Sequence, residues 1–348
     1  MKQFSIGLDC HQATLNGAIL DQNGSIVVEQ RFANKAPELE EFVRPYAHCA
    51  KAVIEASSTS LPIYDQLTEL GIPTIVANPL RLHAISDAPV KNDRNDALML
   101  AKLLHANIVP TSYVPPKHIR ELRDLVRAYT RLIDQRTQAK NRIRSVLMQH
   151  RLKWPSKDVA SKYARIWLAE QQLDIGMRGV INANLGVIDL LKTELQQISQ
   201  AMLDWKHCQK ELELLQTISG FGPLVSRVFI SEVGEITRFP TAKKLACYAG
   251  LVPGLHASGD KSRTGRLIKQ SNAAIRRALV LAAWAAIRHD KPLRARYERL
   301  KARGKPAQKA IIAIARHLLC VAHTMITKQT TYWLAREKLR ARDSPALP

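Results

Sequence analysis

The chain has 348 residues, 46% of them hydrophobic, which is more than one typical core needs and predicts two or three folded domains. Its 52 Lys and Arg against 30 Asp and Glu give a net charge of +22, which predicts a polyanionic partner. Five scattered cysteines form neither a CxxC pair nor a disulfide framework, which favours reduced thiols in a cytoplasm. The chain starts on a strand pattern instead of a signal peptide, and its longest apolar stretch, 278–287, is too short to span a bilayer. We therefore expect a cytoplasmic, nucleoid-associated bacterial protein without membrane contact.

Strand and helix patterns alternate through the first hundred residues. Three β-like runs come first, the last two separated by the turn signal Asp-Gln-Asn-Gly. A helix, a buried strand, a second helix, another strand and a last helix that begins near Asn92 follow. The predicted strands are 4–9, 15–20, 26–32, 52–56 and 74–77. This βββαβαβα order is that of an α/β RNase H-like (RuvC-like) sheet.

Four carboxylates are placed where such a sheet can bring them together. Asp9 closes the first strand and Glu55 lies at the end of the fourth, while Asp93 and Asp96 share one face of the first turn of the last helix. Each acid alone is more often a solvated strand end or, for Asp93, a helix N-cap. Together they predict a metal site for phosphodiester chemistry, with Mg²⁺ as the hard cation that oxygen ligands favour. Asp87 is an alternative candidate for the third acid of this set, but its sequence context predicts a loop.

The positive charge is concentrated in two later regions. Residues 117–157 hold twelve basic and three acidic side chains, and 261–348 hold twenty-one basic and four acidic. Between 125 and 212, apolar residues recur every seven positions in two long helical stretches, which predicts a coiled-coil arm. Arg120, Arg127 and Arg131 lie beside the apolar seam as candidate nucleic-acid contacts. The same pattern also fits a helical hairpin packed on its own domain.

Two glycine-bearing segments follow the arm. Residues 217–223 resemble a helix-hairpin-helix turn, whose backbone N–H groups approach a phosphate, and equally fit a turn between two packed helices. Further on, Ser258 and Gly259 lie in a loop rich in cations, which offers no obvious base. By residue chemistry alone, Ser258 is more often a phosphate-binding hydroxyl than a nucleophile, and His256 fits a surface histidine better than a base. The candidate nucleic-acid contacts of this region are Lys261, Arg263, Arg266, Lys269, Arg276 and Arg277.

Several of these segments together resemble one family. They are Gly7-Leu-Asp9 with His11, the strand 54–57, the stretch 91–97 and the block 249–259. In this order they are similar to the Piv/MooV-type DEDD transposases of bacterial insertion sequences, which are bridge-RNA-guided recombinases. The resemblance covers nearly the whole chain. It implies a RuvC-like DEDD domain (1–112), a helical coiled-coil arm (113–212), a mainly α transposase domain with a serine loop (213–335) and a basic tail (336–348).

The resemblance also implies a mechanism. Asp9, Glu55, Asp93 and Asp96 would bind Mg²⁺, and Ser258 would attack DNA to form a covalent phosphoserine intermediate. The serine of one subunit would meet the carboxylates of another. The partners would be double-stranded DNA at the element ends and the target, a structured guide RNA, and further copies of the chain in a dimer or tetramer. The segment 268–272 departs from the family pattern. This difference affects the phosphate contacts expected in that segment and leaves the Ser258-Gly259 match intact.

Three other functions stay open on the sequence alone. An RNase H-like endonuclease or Holliday-junction resolvase would use the four acids with water as the nucleophile. A sugar kinase or actin-like ATPase also starts with a meander and an early Asp, but it needs glycine-rich phosphate loops and a second similar domain, which the sequence lacks. A non-enzymatic nucleic-acid-binding protein would keep the basic helices and tolerate substitution of all four carboxylates.

Overall fold

Two compact units, Met1–Val114 and Pro115–Pro348, divide the chain. The computed structural model describes residues 3–83, 93–258, 261–268 and 270–334. The predicted separation of an arm from a transposase domain at residue 212 stays a prediction. The predicted basic tail 336–348 lies outside the described residues.

One mixed sheet forms the centre of the first unit. Its strands are β1 (Phe4–Cys10), β2 (Thr14–Leu20), β3 (Ile26–Ala33), β4 (Ala50–Glu55), β5 (Thr74–Ala77) and β6 (Thr111–Ser112). They lie in the order β3-β2-β1-β4-β5-β6, in which β1 to β3 form an antiparallel meander, β4 and β5 run parallel to β1, and β6 pairs antiparallel with β5. This arrangement is compatible with an RNase H-like domain. The first five strands lie within two residues of their predicted places, whereas β6 has two residues and is too short to leave a periodic pattern.

Helices cover both faces of this sheet. They are α1 (Ala36–Val43), α2 (Ser60–Glu69), α3 (Pro79–His83) and α4 (Asp93–His105). On one face, Leu8 and Ile54 pack with residues of α1 and α2, including Leu39 and Leu67. On the other face, Val53 packs with residues of α4. Because both faces are covered, the central strands β1 and β4 are apolar on both sides and not only on alternate residues.

Helix α4 packs directly on β1 at Gly7. A Cβ added to Gly7 would overlap the backbone carbonyl oxygen of Ala97 and the backbone nitrogen of Ala101. At the other end of α4, the ring of His105 lies beside Gly24, in the turn that follows β2. The end of β2 pairs with the start of β1, so α4 runs antiparallel to β1. The N-terminus of α4 therefore lies at the carboxyl ends of β1 and β4.

The second unit is mostly helical. Its helices are α5 (Lys117–Gln149), α6 (Lys162–Glu170), α7 (Ile175–Asp204), α8 (Gln209–Gln216), α9 (Pro223–Val233), α10 (Ala242–Tyr248), α11 (Ala273–His289), α12 (Lys291–Ala302) and α13 (Ala307–Lys328). A hairpin of two strands, β7 (Pro253–Ser258) and β8 (Lys261–Leu267), lies in sequence between α10 and α11. This hairpin is the predicted serine loop.

Helices α5 and α7 pack against each other as an antiparallel pair. Ile143, near the end of α5, shares a buried cluster with α6 and with Ile181, near the start of α7. At the opposite end of the pair, Val126 and Met202 belong to the main core of the second unit. The two heptad patterns therefore correspond to a helical hairpin within one chain. The coiled-coil assembly predicted from them stays a prediction.

Helix α13 is long and apolar enough to cross a membrane, judged by length and composition alone. The apolar residues of α13 are interrupted by polar ones such as Arg316 and His317, so 278–287 remains the longest uninterrupted apolar stretch of the sequence. Ile314, Leu318 and Ala322 of α13 are fully buried in the main core of the second unit. A helix enclosed by its own domain is apolar on most of its circumference, and this burial accounts for the composition of α13.

Replacing Gly7 with Ala is expected to lower the free energy of unfolding by about 1–3 kcal/mol, because the added methyl group meets backbone atoms of α4 that cannot rotate away. Gly186→Ala in α7 is the matched control, since nothing lies within 4 Å of a Cβ added there. Ala is the better helix former by about 0.5–1 kcal/mol, so Gly186→Ala should be neutral or stabilising. Urea unfolding followed by circular dichroism compares the two variants. Similar small changes in both would contradict the close contact at Gly7.

Candidate active site

Asp9 and Glu55 lie side by side at the carboxyl ends of two neighbouring parallel strands. The β1–β4 register pairs the residues that immediately precede them. Gly7, two positions before Asp9, and Val53, two positions before Glu55, both face α4. Since strand side chains alternate between faces, Asp9 and Glu55 emerge on the α4 side of the sheet. The two predicted acids of the strands are thus brought together.

Helix α4 carries the other two predicted acids to the same end of the sheet. Asp96 is half-buried and immediately precedes Ala97, which packs on Gly7. Asp93 is the first residue of α4, and its side chain lies outside the described residues. The backbone therefore collects all four acids at one end of the first unit. Their joint action as metal ligands stays a prediction.

A histidine and an asparagine are the neighbours of Asp9. Oδ2 of Asp9 lies 3.0 Å from Nε2 of His11, whose side chain is 48% exposed. Asn16 faces Asp9 across the β1–β2 ladder, and its Nδ2 is buried with no hydrogen-bond partner among the described residues. An unpaired buried donor costs about 1–3 kcal/mol. The sequence analysis missed Asn16, although a polar residue within the apolar β2 run was its signal.

The thiol of Cys10 lies within the electrostatic reach of both acids. Its pKa is raised to about 12, first by burial and then by the negative charges of Asp9 and Glu55. The thiol therefore stays protonated at neutral pH and is neither a nucleophile nor a soft metal ligand. That both acids act on one thiol agrees with their adjacent positions.

The donor set at this end of the sheet fits a hard divalent cation. Asp9 and Glu55 offer carboxylate oxygens, which Mg²⁺ prefers over nitrogen or sulfur. Among the described side chains, no group of three or more His, Cys, Asp and Glu is spaced to hold a metal ion, and the side chain of Asp93 lies outside that set. A complete site would therefore depend on the start of α4 for further ligands.

Ser258 is the last residue of β7, at the tip of the hairpin in the second unit. The register pairs Ser258 with Lys261 and His256 with Arg263. Ser258 and His256 therefore belong to one strand of the hairpin, and Lys261 and Arg263 belong to the strand that pairs with it. Gly259 and the side chains around the tip lie outside the described residues, and the catalytic role of Ser258 stays a prediction.

A buried carboxylate, Glu232 of α9, ties the end of this hairpin segment to α5. Arg127 donates from Nε to Oε1 of Glu232 at 2.8 Å and from Nη2 to Oε2 at 3.0 Å. Asn272 donates from Nδ2 to Oε2 at 2.7 Å, while its Oδ1 accepts from the N–H of Ile275 and so caps α11. The hydroxyl of Tyr248 donates to the Glu232 backbone carbonyl. The chain that leaves the hairpin is thereby fixed to both α5 and α9.

The charges around Glu232 determine its ionisation. Burial alone raises the pKa of Glu232, but the hydrogen bonds from Arg127 and Asn272, together with the charges of Arg127 and Arg123, outweigh burial and hold the pKa below its ordinary value. The hydrogen bond to Glu232 in turn raises the pKa of Arg127. Both groups are therefore charged at neutral pH. Sequence reasoning missed Glu232, although an acid inside the apolar run of α9 signalled a buried partner.

Two further predicted nucleic-acid contacts have internal partners. Arg277 forms a two-point ion pair with Asp134 of α5, with Nη1 donating to Oδ2 at 2.7 Å. Arg276 donates from Nη1 to the carbonyl oxygen of Ile268 at 3.3 Å. These arginines, like Arg127, stabilise the second unit. A contact with nucleic acid would use the guanidinium N–H groups that these internal bonds do not occupy.

The other predicted contacts differ in exposure. Arg131 and Arg266 are exposed, and Arg120 is half-buried. The backbone of β8 includes Lys261 and Arg263, whose side chains lie outside the described residues, as does the whole of residue 269, the predicted lysine contact. Binding of nucleic acid by each of these residues stays a prediction.

The glycine-rich turn 217–223 joins two packed helices, α8 and α9. Gly220 adopts a φ of 87°, and a Cβ added there would overlap the carbonyl oxygen of Ala282 in α11. Glycine is therefore needed at this position because the turn lies against a helix. Helix packing, the second of the two interpretations, accounts for Gly220.

Replacing Glu232 with Gln is expected to lower the free energy of unfolding by about 3 kcal/mol, since a buried ion pair loses one partner while Arg127 stays half exposed. In the wild type this stabilisation is present above the unfolded pKa of the carboxyl group and is lost as the pH falls through its lowered folded pKa. The difference between wild type and variant should therefore shrink below about pH 4. Urea unfolding at several pH values measures it.

The control for Glu232→Gln is Glu298→Gln, because Glu298 is exposed and pairs with Lys301 one turn away. Exposed pairs contribute little, so this variant should unfold like the wild type at every pH. An equal loss of stability in both variants would contradict the structural role of Glu232.

Two family models match separate parts of the chain. Residues 6–151 match the DEDD transposase domain of IS110-type elements, described as "Transposase". Residues 212–298 match the model described as "Transposase IS116/IS110/IS902 family". The first match contains Asp9, Glu55 and α4, and the second contains Glu232, Asn272 and the hairpin. The two matches therefore include both sets of residues that the geometry singles out.

Curated proteins of related function are similar along most of the chain. A transposase for insertion sequence element IS1111A from Coxiella burnetii is 26% identical over an alignment of 352 positions. This alignment covers 95% of this chain and 92% of the relative. A pilin gene-inverting protein from Moraxella bovis is 26% identical over 293 residues, which cover 80% of this chain and 81% of the relative. Because the two family domains occur together and the relatives extend over both, the chain belongs to the IS116/IS110/IS902 family of DEDD transposases and is a DNA transposase/recombinase.

Proposed function

We propose that this transposase cleaves and exchanges DNA strands by serine attack, with Mg²⁺ at the carboxylate site and a structured RNA as the guide. The observation that carries the proposal is the adjacency of Asp9 and Glu55 on the face where α4 begins. Two carboxylates at adjacent strand ends, in a chain of net charge +22, form a site for a cation that itself meets phosphate.

The proposed reaction conserves phosphodiester bonds. The Oγ atom of Ser258 attacks the scissile phosphorus and loses its proton to solvent. A serine oxygen–phosphorus bond forms, the bond from phosphorus to the sugar oxygen breaks, and the sugar oxygen takes up a proton and leaves as a hydroxyl. A sugar hydroxyl of the exchanged strand then reverses this step and releases Ser258. Mg²⁺ bound by Asp9, Glu55, Asp93 and Asp96 supplies neutralisation of the phosphate charge.

The proposed substrates are double-stranded DNA at the element ends and at the target. Lys261 and Arg263 belong to the strand that pairs with the serine strand, and their positive charges favour binding of a phosphate at this hairpin. Arg131, exposed on α5, adds charge for the backbone. In the proposed mechanism, base pairing with the guide RNA selects the sequence, while the protein reads backbone and shape.

The outer face of α7 supports a proposed assembly of several copies. Val180, Val187 and Leu190 are between 45% and 61% exposed and follow one another at helical spacing. They lie away from Ile181 and Ile188, which are buried between α7 and α5. An exposed apolar stripe on a long helix favours a helical partner. We propose that copies of the chain pair through this stripe, so that Ser258 of one copy acts with the carboxylates of another.

Leu190→Glu is expected to weaken this assembly, because it places a charge on the apolar stripe while leaving the residues buried against α5 unchanged. Gln196→Glu, at another exposed position of α7, adds the same charge outside the stripe and should assemble like the wild type. Analytical ultracentrifugation measures the mass of each variant. If Leu190→Glu retains the mass of the wild type, the stripe is not the interface.

Ser258→Ala and Asp9→Asn separate the steps of the proposed chemistry. Wild-type protein incubated with Mg²⁺, element-end DNA and its flanking RNA should form a covalent protein–DNA adduct on a denaturing gel. Ser258→Ala should form none, and Asp9→Asn should form it on the order of a hundredfold more slowly. Ser262→Ala, on the facing strand, is the matched serine control and should keep the adduct. If Ser258→Ala forms the adduct at the wild-type rate, Ser258 is not the nucleophile.

The same variants distinguish the alternatives. A resolvase or RNase H-like endonuclease would cut DNA in the Ser258→Ala variant and lose cutting in the Asp9→Asn variant. A non-enzymatic nucleic-acid-binding protein would bind equally in all variants and form no adduct. Cleavage that persists without divalent metal would contradict the carboxylate assignment.

A further inference from the structure

A groove of about 940 Å³ lies at the base of the serine hairpin in the second unit. Its apolar walls come from the hairpin and from the helices α11 and α13, and they consist mainly of Leu251, Pro253, Leu267, Val280, Trp284 and Ile312. A volume of this size falls within the range of small-molecule sites, about 300–1,000 Å³. The groove thus has room for a flat ring and its substituents.

Four cations border these apolar walls: Arg266, Lys305, Lys309 and Arg316. No Asp or Glu lines the groove, and none of the four has a carboxylate within ion-pair distance among the described residues. Four cations with no carboxylate partner among the described residues favour an anionic ligand. The apolar walls require that the same ligand also have a neutral, flat part.

Trp284 provides such a stacking surface. Its side chain is 37% exposed, although it lies on the same helix as the buried core residues Ala282 and Ala283. Tyr297 packs edge-on to the indole with a centroid distance of 5.9 Å. Tyr297 is buried, so it limits the movement of the Trp284 ring while leaving part of the ring open. A preoriented aromatic ring beside cations is the combination that binds an unstacked base and its phosphate.

We propose that this groove binds an unstacked nucleotide of single-stranded DNA, with the base against Trp284 and the adjoining phosphates at Lys305, Lys309 and Arg316. The inference rests on the proposed strand exchange, in which DNA near the cleavage point must unpair. Pro253 lines the groove and Ser258 ends the same strand, so about 17 Å of extended backbone separates the groove from the proposed nucleophile. The groove would hold DNA of the strand on which the serine acts, a short distance from the scissile phosphate.

Fluorescence anisotropy with labelled oligonucleotides tests the proposal without catalysis. The full-length protein is titrated into a 12-nucleotide single strand and, separately, into the matching duplex, in the absence of divalent metal. Trp284→Ala should weaken binding of the single strand roughly 5- to 150-fold, the loss of one base–aromatic stack, and change duplex binding little. Trp284→Phe keeps an aromatic face and should restore most of the affinity.

The matched control for Trp284→Ala is Trp333→Ala, because Trp333 is 66% exposed and does not line the groove. It should bind the single strand like the wild type. Lys309→Gln tests the phosphate contact and should lower the slope of the logarithm of affinity against the logarithm of salt concentration by about 0.7. Lys192 is an exposed lysine of α7, and Lys192→Gln should leave the salt dependence of binding to this short strand unchanged.

Several results would overturn the proposal. Equal single-strand affinity in Trp284→Ala and Trp333→Ala would exclude stacking in the groove. An equal loss of duplex binding in Trp284→Ala would make Trp284 a general surface contact. If an RNA strand of the same sequence is also titrated and only its binding is lost, the groove belongs to RNA. A lower mass of Trp284→Ala in ultracentrifugation, with unchanged DNA affinity, would assign the groove to a second copy of the chain. Because binding needs neither Ser258 nor metal, failure of the serine mechanism would leave this measurement intact.

Discussion

The contact between α4 and β1 at Gly7 determines where the acids of the first unit meet. With no side chain at Gly7, the helix backbone lies directly on the strand. The antiparallel course of α4 then places its first turn at the carboxyl ends of β1 and β4, and strand alternation turns Asp9 and Glu55 toward that turn. Moving α4 outward by one side-chain diameter would separate Asp96 from both strand acids. The candidate metal site is therefore a consequence of backbone packing, before any metal binds.

Carboxylates in this basic chain have two different physical situations. Glu232 is enclosed, and its two oxygens accept three hydrogen bonds from Arg127 and Asn272, which fixes it as a structural ion-pair partner. Asp9 and Glu55 stand at the ends of two neighbouring strands, and the Asp9 side chain is 13% exposed. The enclosed acid is held by Arg127 and Asn272, and it organises the base of the hairpin. The strand-end acids offer carboxylate oxygens, the ligands that a hard divalent cation prefers.

Much of the first unit could be predicted from the sequence, because strand alternation and turn signals are local. The order of strands along the chain and the places of Asp9 and Glu55 at the ends of the first and fourth strands follow from that pattern. Contacts between distant segments leave no such signal: Arg127 and Glu232 are 105 residues apart, and nothing local indicates that they pair. The heptads likewise predict the helices α5 and α7 but do not reveal that their buried seams face each other within one chain. Local periodicity thus identifies an apolar face, while its partner is decided by the tertiary fold.

The proposed nucleophile and the proposed metal ligands belong to different folding units, so neither unit alone holds the complete chemistry. In the proposed mechanism Ser258 of one copy acts with the carboxylates of another, so cleavage would require assembly of the copies. The apolar stripe of α7 and the serine hairpin lie in the same unit. They are connected through α5, which packs on α7. Arg127 of α5 bonds Glu232, and Glu232 in turn accepts a hydrogen bond from Asn272. Pairing through α7 would therefore orient each hairpin through a continuous set of packed helices and one buried ion pair, and assembly would become a condition for cleavage.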